Sequence, residues 1–430
     1  MTTRAVKRPR WFYGWTIVAT LCMVNFATAA TGTLNLGLFI IPMSEGLGIS
    51  RGIFGWLSTS RSLAAGGSSL VLGSLVDRFG VRILLPLSSL VTGLCLIGIG
   101  ASSQMYQVFI LFALMGLVGL GSQAGSLLSS VPVAKWFVAK RGKALSIAML
   151  GGGIGAIVFV PVTQVLIDNL GWRWAWMVLA FISMAVIIPL SMAFIRRQPE
   201  DMGLQPDGGT SAVQKERSVH TAPADTEVIW TVREALRTRA FWQLTASLML
   251  SGFAMGTAIH RIPYWTERGF DAQTVSLAFS ADAAGAAFMI MASGFVLDRV
   301  PSRFTAASAF AGFAGAVTIM LVATNVLHMF TSTVLFGFSA GTNQVSQTYL
   351  WARYYGRASL GTIRGITMPM TLLATAAGAP AAGYIYDITG GYELAWQIAI
   401  SIYILAFLLM VTALPPVRTL PGQPRPATGG

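Results

Sequence analysis

The sequence GSLVDRFGVR at residues 73–82 recurs as GFVLDRVPSR at residues 294–303. Each copy lies between two long apolar runs, and the two copies are 221 residues apart. Other residues match at an offset of 221 or 219 residues, namely Ile41-Pro42 with Ile262-Pro263, Gln123 with Gln344, and Pro161 and Asp168 with Pro380 and Asp387. A repeat that keeps nearly the same offset across several regions indicates two equivalent halves.

The composition places most of the chain in a membrane. Of the 430 residues, 54% are hydrophobic and 10% are charged, whereas soluble domains carry roughly 25% charged residues. A helix needs about 20 apolar residues to span a bilayer. Apolar runs near this length cover residues 14–41, 53–76, 83–102, 106–131, 144–168, 174–195, 241–266, 273–297, 305–324, 328–352, 363–387 and 394–414.

These runs predict an all-α membrane protein with twelve transmembrane helices in two parallel, pseudo-repeated six-helix bundles. The predicted domains are an N-terminal bundle over 1–195, a polar cytoplasmic linker over 196–240, a C-terminal bundle over 241–414 and a cytoplasmic tail over 415–430. Parallel repeats of this kind are typical of transporters whose binding site lies between the two bundles.

The net charge of +13 is divided by side of the membrane rather than gathered in one patch. Most Lys and Arg residues lie at the two termini, in the linker and in loops on the same side. The opposite loops hold only Arg51, Arg173 and Arg268. Because cytoplasmic loops are enriched in positive charge, we predict a multi-pass protein with cytoplasmic termini. As its location we expect the bacterial inner membrane. We expect the lipid bilayer, and no nucleic acid, as a partner.

The repeated motif resembles the signature of the major facilitator superfamily, GxxxDRxGxR, which follows the second span. The first copy carries it as Gly73, Asp77, Arg78, Gly80 and Arg82, and the second copy keeps Gly294, Asp298, Arg299 and Arg303 but has Pro301 in place of glycine. The resemblance implies that Asp77, Arg78, Asp298 and Arg299 form a conformational latch at the cytoplasmic helix ends. The alternative is that these charges only fix the topology.

A finer resemblance is to the bacterial branch that contains monocarboxylate and oxalate/formate carriers. It rests on Tyr13-Gly14-Trp15, on Trp136-Phe137 and Lys140-Arg141-Gly142 before the glycine-rich stretch GGGIG, and on Arg353-Tyr354-Tyr355-Gly356-Arg357 and Tyr386-Asp387-Ile388-Thr389-Gly390. Monocarboxylate carriers of this branch tend to have Asp and Arg four residues apart in the eighth span. Here Asp282 is present, but position 286 is Ala.

This resemblance implies a secondary active transporter of a small, monocarboxylate-like organic anion that works by alternating access. Protons or a counter-anion would be its second partner, in symport or in exchange. One alternative is a facilitator of a neutral or cationic small molecule with Asp282 as its anchor. Another is a non-transporting membrane sensor. We expect a monomer.

Arg61 and Asp282 occupy matched places, since each lies 16 residues before the aspartate of its motif. At 1.5 Å per residue, both are about 24 Å from the cytoplasmic boundary. Ionisable groups at such depth usually face a partner or a cavity. We predict an Arg61–Asp282 salt bridge that closes the outer side, or else a coupled proton on Asp282. The alternative for Arg61 is that its side chain extends to the outer headgroups.

Several polar residues are candidates for substrate contact. Arg261 has a planar fork that suits a carboxylate. Neighbouring His260 is a candidate proton carrier, because an unperturbed imidazole titrates near neutral pH. Amide side chains on the cavity-lining spans of the resembled fold suit a small polar substrate, and these are Gln123, Gln344, Asn25 and Asn35. The alternative for each amide is helix–helix bonding.

No constellation of residues predicts an enzyme. The three histidines, His220, His260 and His328, are scattered along the chain, so we expect no metal site and no cofactor. GGGIG at residues 151–155 is not followed by Lys and Ser or Thr, and we interpret it as a packing seam rather than a phosphate cradle.

Overall fold

The computed structural model describes residues 12–118, 125–137, 140–205, 230–297, 299–355 and 360–416. The regular structure of these residues is helical. The α-helices are α1 (Gly14–Thr28), α2 (Thr33–Leu38), α3 (Ile40–Leu47), α4 (Arg51–Phe79), α5 (Val81–Ala101), α6 (Met105–Val118), α7 (Gly125–Trp136), α8 (Arg141–Phe194), α9 (Val232–Leu236), α10 (Arg239–Thr257), α11 (Arg261–Glu267), α12 (Ala272–Leu297), α13 (Ser302–Val322), α14 (Val326–Tyr355), α15 (Leu360–Thr389) and α16 (Glu393–Thr412).

These helices form two six-helix halves, as predicted. The first span is built from α1 to α3, the fourth from α6 and α7, and the seventh from α10 and α11. Helix α8 contains the fifth and sixth spans, which meet at Gly171, where φ is 79°. In the described part of the chain, six helical stretches are long and apolar enough to cross a membrane by length and composition alone. The other spans are interrupted, as in α10–α11, or more polar, as in α4.

The first span of each half is broken at a short 3-10 turn. In the first half the turn is Ala29–Thr31, after which Gly32 adopts an extended conformation. In the second half it is Ala258–His260, and α11 begins directly after it. A broken helix leaves backbone carbonyls without helical partners, and membrane proteins place such breaks where the backbone is buried in protein or lines a cavity.

The predicted repeat is visible in the packing of the halves. A side chain at Gly116 would overlap the carbonyl oxygen of Arg61, and a side chain at Gly337 would overlap that of Asp282. Both residues of the second pair lie 221 positions after those of the first. The fourth and tenth spans therefore approach the second and eighth spans at the same place, through the same small residue.

The predicted linker, residues 196–240, is helical at both described ends. A 3-10 turn spans Pro199–Met202. On the other side, α9 begins at a capping box in which Thr231 and Glu234 bond to each other's backbone N–H groups. Residues 206–229 lie outside the described part of the chain.

Candidate functional site

The most buried charges among the described residues of the second half form an ion pair between the seventh and eighth spans. Arg261 Nη1 lies 2.7 Å from Asp282 Oδ2, and the two residues are 2% and 4% exposed. The guanidinium stacks over the ring of Phe336, with 3.6 Å to its centroid, and lies 4.8 Å from that of Phe279. Aromatic faces attract a cation, so the site holds the arginine by charge and by stacking.

One edge of this guanidinium is unused. Arg261 Nη2 is buried and has no hydrogen-bond partner among the described residues, and the same holds for the hydroxyl of Tyr403. An arginine offers five N–H donors in a fixed fork. The arrangement therefore leaves donors available for an oxygen acceptor in the interior of the second half.

The predicted salt bridge between Arg61 and Asp282 is wrong. Arg61 Nη1 donates instead to the carbonyl of Thr31, over 2.8 Å, at the break in the first span, while Asp282 pairs with Arg261 at the break in the seventh. The reason is that each side chain points into its own half. Equal depth in two repeated halves makes the residues equivalent without bringing them together.

His260 is fully buried, with 0% exposure. Its Nε2 lies 2.9 Å from the carbonyl oxygen of Ala379 and its Nδ1 lies 3.0 Å from the hydroxyl of Tyr392. Because a carbonyl only accepts, Nε2 carries the proton in this arrangement, and Nδ1 of a neutral ring accepts from the tyrosine. The imidazole thus joins the seventh span to α15 and to the start of α16.

The predicted amides differ in their surroundings. Asn25 is occupied in packing, since its Nδ2 donates to Ala148 O over 2.9 Å and its Oδ1 accepts from Ser129. Asn35 is buried and donates to Ala30 O, while its Oδ1 has no partner among the described residues. Gln344 is exposed on α14.

Some of the predicted residues fall outside the described part of the chain. These are Gln123, Asp298 and the side chain of Asp77. Their motif neighbours Arg78 and Arg299 are exposed, and Arg78 lies over the ring of Phe79, 5.3 Å from its centroid. The latch stays a prediction.

A polar cluster that the sequence did not predict joins the halves at one end of the molecule. We call Arg51, Glu267, Tyr386, Asp387 and Tyr392 the Arg51 cluster. Arg51 Nη2 lies 2.6 Å from Glu267 Oε1, and the guanidinium lies 4.9 Å from the centroid of the Tyr386 ring. The carboxylate of Asp387 accepts the backbone N–H of Arg51 and that of the next residue, each over 3.0 Å. One sequence feature could have drawn attention to Asp387, namely that it matches Asp168 in the repeat.

Comparison with known sequences places the chain among transporters. Monocarboxylate transporter 11 of Mus musculus is 23% identical over 448 residues, covering 98% of this chain and 91% of that protein. The oxalate:formate antiporter of Oxalobacter formigenes is 26% identical, over 63% of this chain and 59% of that protein. MFS-type transporter pynF of Aspergillus niger is 27% identical, and the chain spans only 43% of its length.

Solved structures support the same fold. The nucleoside transporter NupG (D323A mutant) superposes with a TM-score of 0.73 at 13% identity, over 93% of this chain and 99% of that one. The D-xylose-proton symporter gives a TM-score of 0.69 at 14% identity, over 94% and 98%. The model of the Major Facilitator Superfamily matches residues 21–271 and 262–430. With both halves matched, the chain belongs to the major facilitator superfamily, as a multi-pass membrane transporter and not an enzyme.

Proposed function

We propose that this protein is a secondary active transporter of a small organic anion of the monocarboxylate type. The observation that carries the proposal is the buried Arg261, whose Nη2 has no partner among the described residues. Buried arginine is suited to hold a carboxylate in two parallel hydrogen bonds. Relatives named for monocarboxylate and for oxalate and formate transport support the substrate class.

Asp282 supplies the coupling in this proposal. It neutralises Arg261 in the absence of an anion, through the contact of 2.7 Å. A substrate carboxylate competes for the same guanidinium, and protonation of Asp282 removes the competitor. Binding of the anion then favours uptake of a proton, which is the requirement for symport. In an exchanger, Asp282 instead holds the arginine until the counter-anion arrives.

The arginine that monocarboxylate carriers tend to place in the eighth span is replaced here by one from the seventh. Position 286 is Ala, but Arg261 reaches Asp282 from the start of α11. This pairing also argues against a cationic substrate, because a carboxylate that is already neutralised is a weak anchor for a second cation.

Gln344, Asn35 and Gln123 are proposed to make the remaining substrate contacts. Asn25 was also a candidate, but its amide is bonded to other spans, so we assign it mainly to helix packing. We also propose that the protein is a monomer of the bacterial inner membrane with both termini cytoplasmic. Its bundles then cover 1–195 and 241–414, and Asp77, Arg78, Asp298 and Arg299 act as the latch. In this proposal, alternating access arises from rocking of the two halves against each other, which opens the pathway to one side of the membrane at a time.

The proposal is tested by uptake into proteoliposomes. Labelled lactate, pyruvate, formate and oxalate are offered with an inward proton gradient, without a gradient, and with an internal load of unlabelled acid. Arg261→Gln and Asp282→Asn are compared with Arg173→Gln, a control in the first half whose arginine bonds to Ser102 O. We expect saturable uptake that both site variants abolish and the control retains. Absence of uptake for every acid, in folded protein, overturns the anion assignment.

A further inference from the structure

Between described residues, the hydrogen bonds that join the two halves run from the first turns of α4 to the second half. The Arg51 cluster supplies most of them. Within the second half, Tyr386 donates to Glu267 Oε1 over 3.0 Å, so the carboxylate oxygen that binds Arg51 across the halves also binds this tyrosine. Further along α4, Trp56 Nε1 donates to the hydroxyl of Tyr384 over 3.1 Å. The halves are therefore closed at this end.

Backbone packing at this end is as tight as the polar contacts. A side chain at Gly55 would come within 2.5 Å of Pro380 N, and one at Gly52 would come within 2.8 Å of Asp387 Oδ2. Glycines at these positions let α4 and α15 approach closely enough for a side chain of one half to reach the backbone of the other.

Asp387 uses this approach to cap a helix of the opposite half. Its two carboxylate oxygens accept from the N–H groups of Arg51 and Gly52, the first residues of α4. These N–H groups have no partner within the helix, and the positive end of the helix dipole favours a negative charge there. The residue before the helix, Ser50, caps only Ile53 N, over 3.3 Å.

The equivalent aspartate of the first half does not act this way. Asp168 accepts from Gln164 Nε2 over 2.8 Å, within its own helix. The matching eighth-span helix, α12, is capped by the preceding Asp271, which accepts from Thr274 N over 2.8 Å. Only one copy of the repeat therefore makes a cap that depends on closure of the halves.

We propose that Asp387 and Arg51 are positioning residues of the transport cycle, and that together they hold this end of the pathway shut. When the halves separate here, the cap on α4 and the pair between Arg51 and Glu267 are lost together. The inference needs only a transporter that alternates, and it does not depend on which substrate is carried.

The test measures the separation of the halves directly. In a background with Cys22→Ser and Cys95→Ser, spin labels are placed through Leu170→Cys and Leu327→Cys, two exposed positions of opposite halves. Pulsed electron–electron double resonance then gives the distribution of distances between the two labels in the absence of substrate. A hydrogen bond to a charged acceptor is stronger than one to a neutral acceptor, and a tenfold change in an equilibrium corresponds to about 1.4 kcal/mol. We expect Asp387→Asn to raise the ratio of open to closed protein about tenfold, while Asp168→Asn leaves it unchanged.

A distance distribution for Asp387→Asn that matches the parent protein overturns the proposal, as does an equal shift for Asp168→Asn. If Asp387→Asn is not recovered folded, Glu267→Gln tests the Arg51 contact instead, since it removes the charged partner of Arg51 and leaves the α4 cap in place. We expect it to raise the ratio of open to closed protein, and an unchanged distance distribution overturns the proposal. Failure of anion uptake leaves the distance measurement unaffected, so the two proposals fail separately.

Discussion

Arg261 and Asp282 form a 2.7 Å ion pair that lies wholly within one half of the protein. Movement of one half against the other does not have to break this pair, in contrast to the bond between Arg51 and Glu267, which joins the halves. The two charged contacts therefore serve different steps. The buried pair is placed to respond to an anion or a proton, and the contact between halves is placed to respond to opening.

Removing one member of the buried pair should destabilise the protein more than removing both. Asp282→Leu leaves a buried guanidinium without a counter-charge, and breaking such a pair costs about 3–5 kcal/mol. The double variant Arg261→Met with Asp282→Leu should recover most of this loss. Thermal unfolding in one detergent measures all three proteins, with exposed Arg78→Met as the control. Equal losses in the single and double variants contradict the prediction.

Lysine at position 261 separates the charge of the arginine from its shape. Arg261→Lys keeps a cation beside Asp282 but loses the planar fork that binds a carboxylate in two bonds. We expect the KM for the transported acid to rise about tenfold, which corresponds to about 1.4 kcal/mol, with a smaller loss of thermal stability than in Arg261→Met. An unchanged KM in folded protein places the carboxylate elsewhere.

The repeat was sufficient to predict the fold and the equivalence of Arg61 and Asp282. The carbonyl oxygens of both residues pack closely against glycines at matched positions, Gly116 and Gly337. Their partners were not predictable, because a repeat fixes depth and leaves the direction of each side chain open. The side chain of Arg61 bonds to the backbone at the break in the first span. No proline marks this break in the sequence, so its position could not be predicted.

The Arg51 cluster was missed for a related reason. Arg51 and Asp387 are 336 positions apart, and their contact depends on which helix ends meet across the two halves. Apolar runs give the number and order of spans, but they do not give the pairing of α4 with α15. The charge bias offered a hint, since Arg51 is one of only three arginines, with Arg173 and Arg268, in the loops opposite the positively charged side.

Substitutions at His260 test whether the coupled proton is carried by its imidazole. Gln at this position can donate to the Ala379 carbonyl and accept from the Tyr392 hydroxyl, as the ring does. We therefore expect His260→Gln to keep the pH dependence of uptake, whereas His260→Leu loses both bonds and stability. Uptake measured from pH 5 to 8 decides the matter, and a flat profile in His260→Gln would make the histidine the proton carrier.

Asn25 and Gln344 should respond to substitution in opposite ways. Asn25→Ala removes two bonds between spans, at a cost of about 1 kcal/mol, and should leave the KM unchanged. Gln344 is exposed on α14, so Gln344→Ala should raise the KM without lowering the melting temperature. Measuring uptake and unfolding on both variants distinguishes helix packing from substrate contact. A raised KM in Asn25→Ala reverses the assignment.

The glycines of the fifth span provide a matched pair of neighbours for testing the packing seam. A side chain at Gly151 would overlap the carbonyl oxygen of Cys22 in the first span, whereas one at Gly152 would meet nothing within 4 Å. Overpacking a tight contact costs about 1–3 kcal/mol, so Gly151→Ala should lower the melting temperature clearly. Gly152→Ala should leave it unchanged or raise it slightly, because alanine is the better helix former. Equal melting temperatures for the two variants would show that the first and fifth spans are not held at this distance, and would contradict the close packing at Gly151.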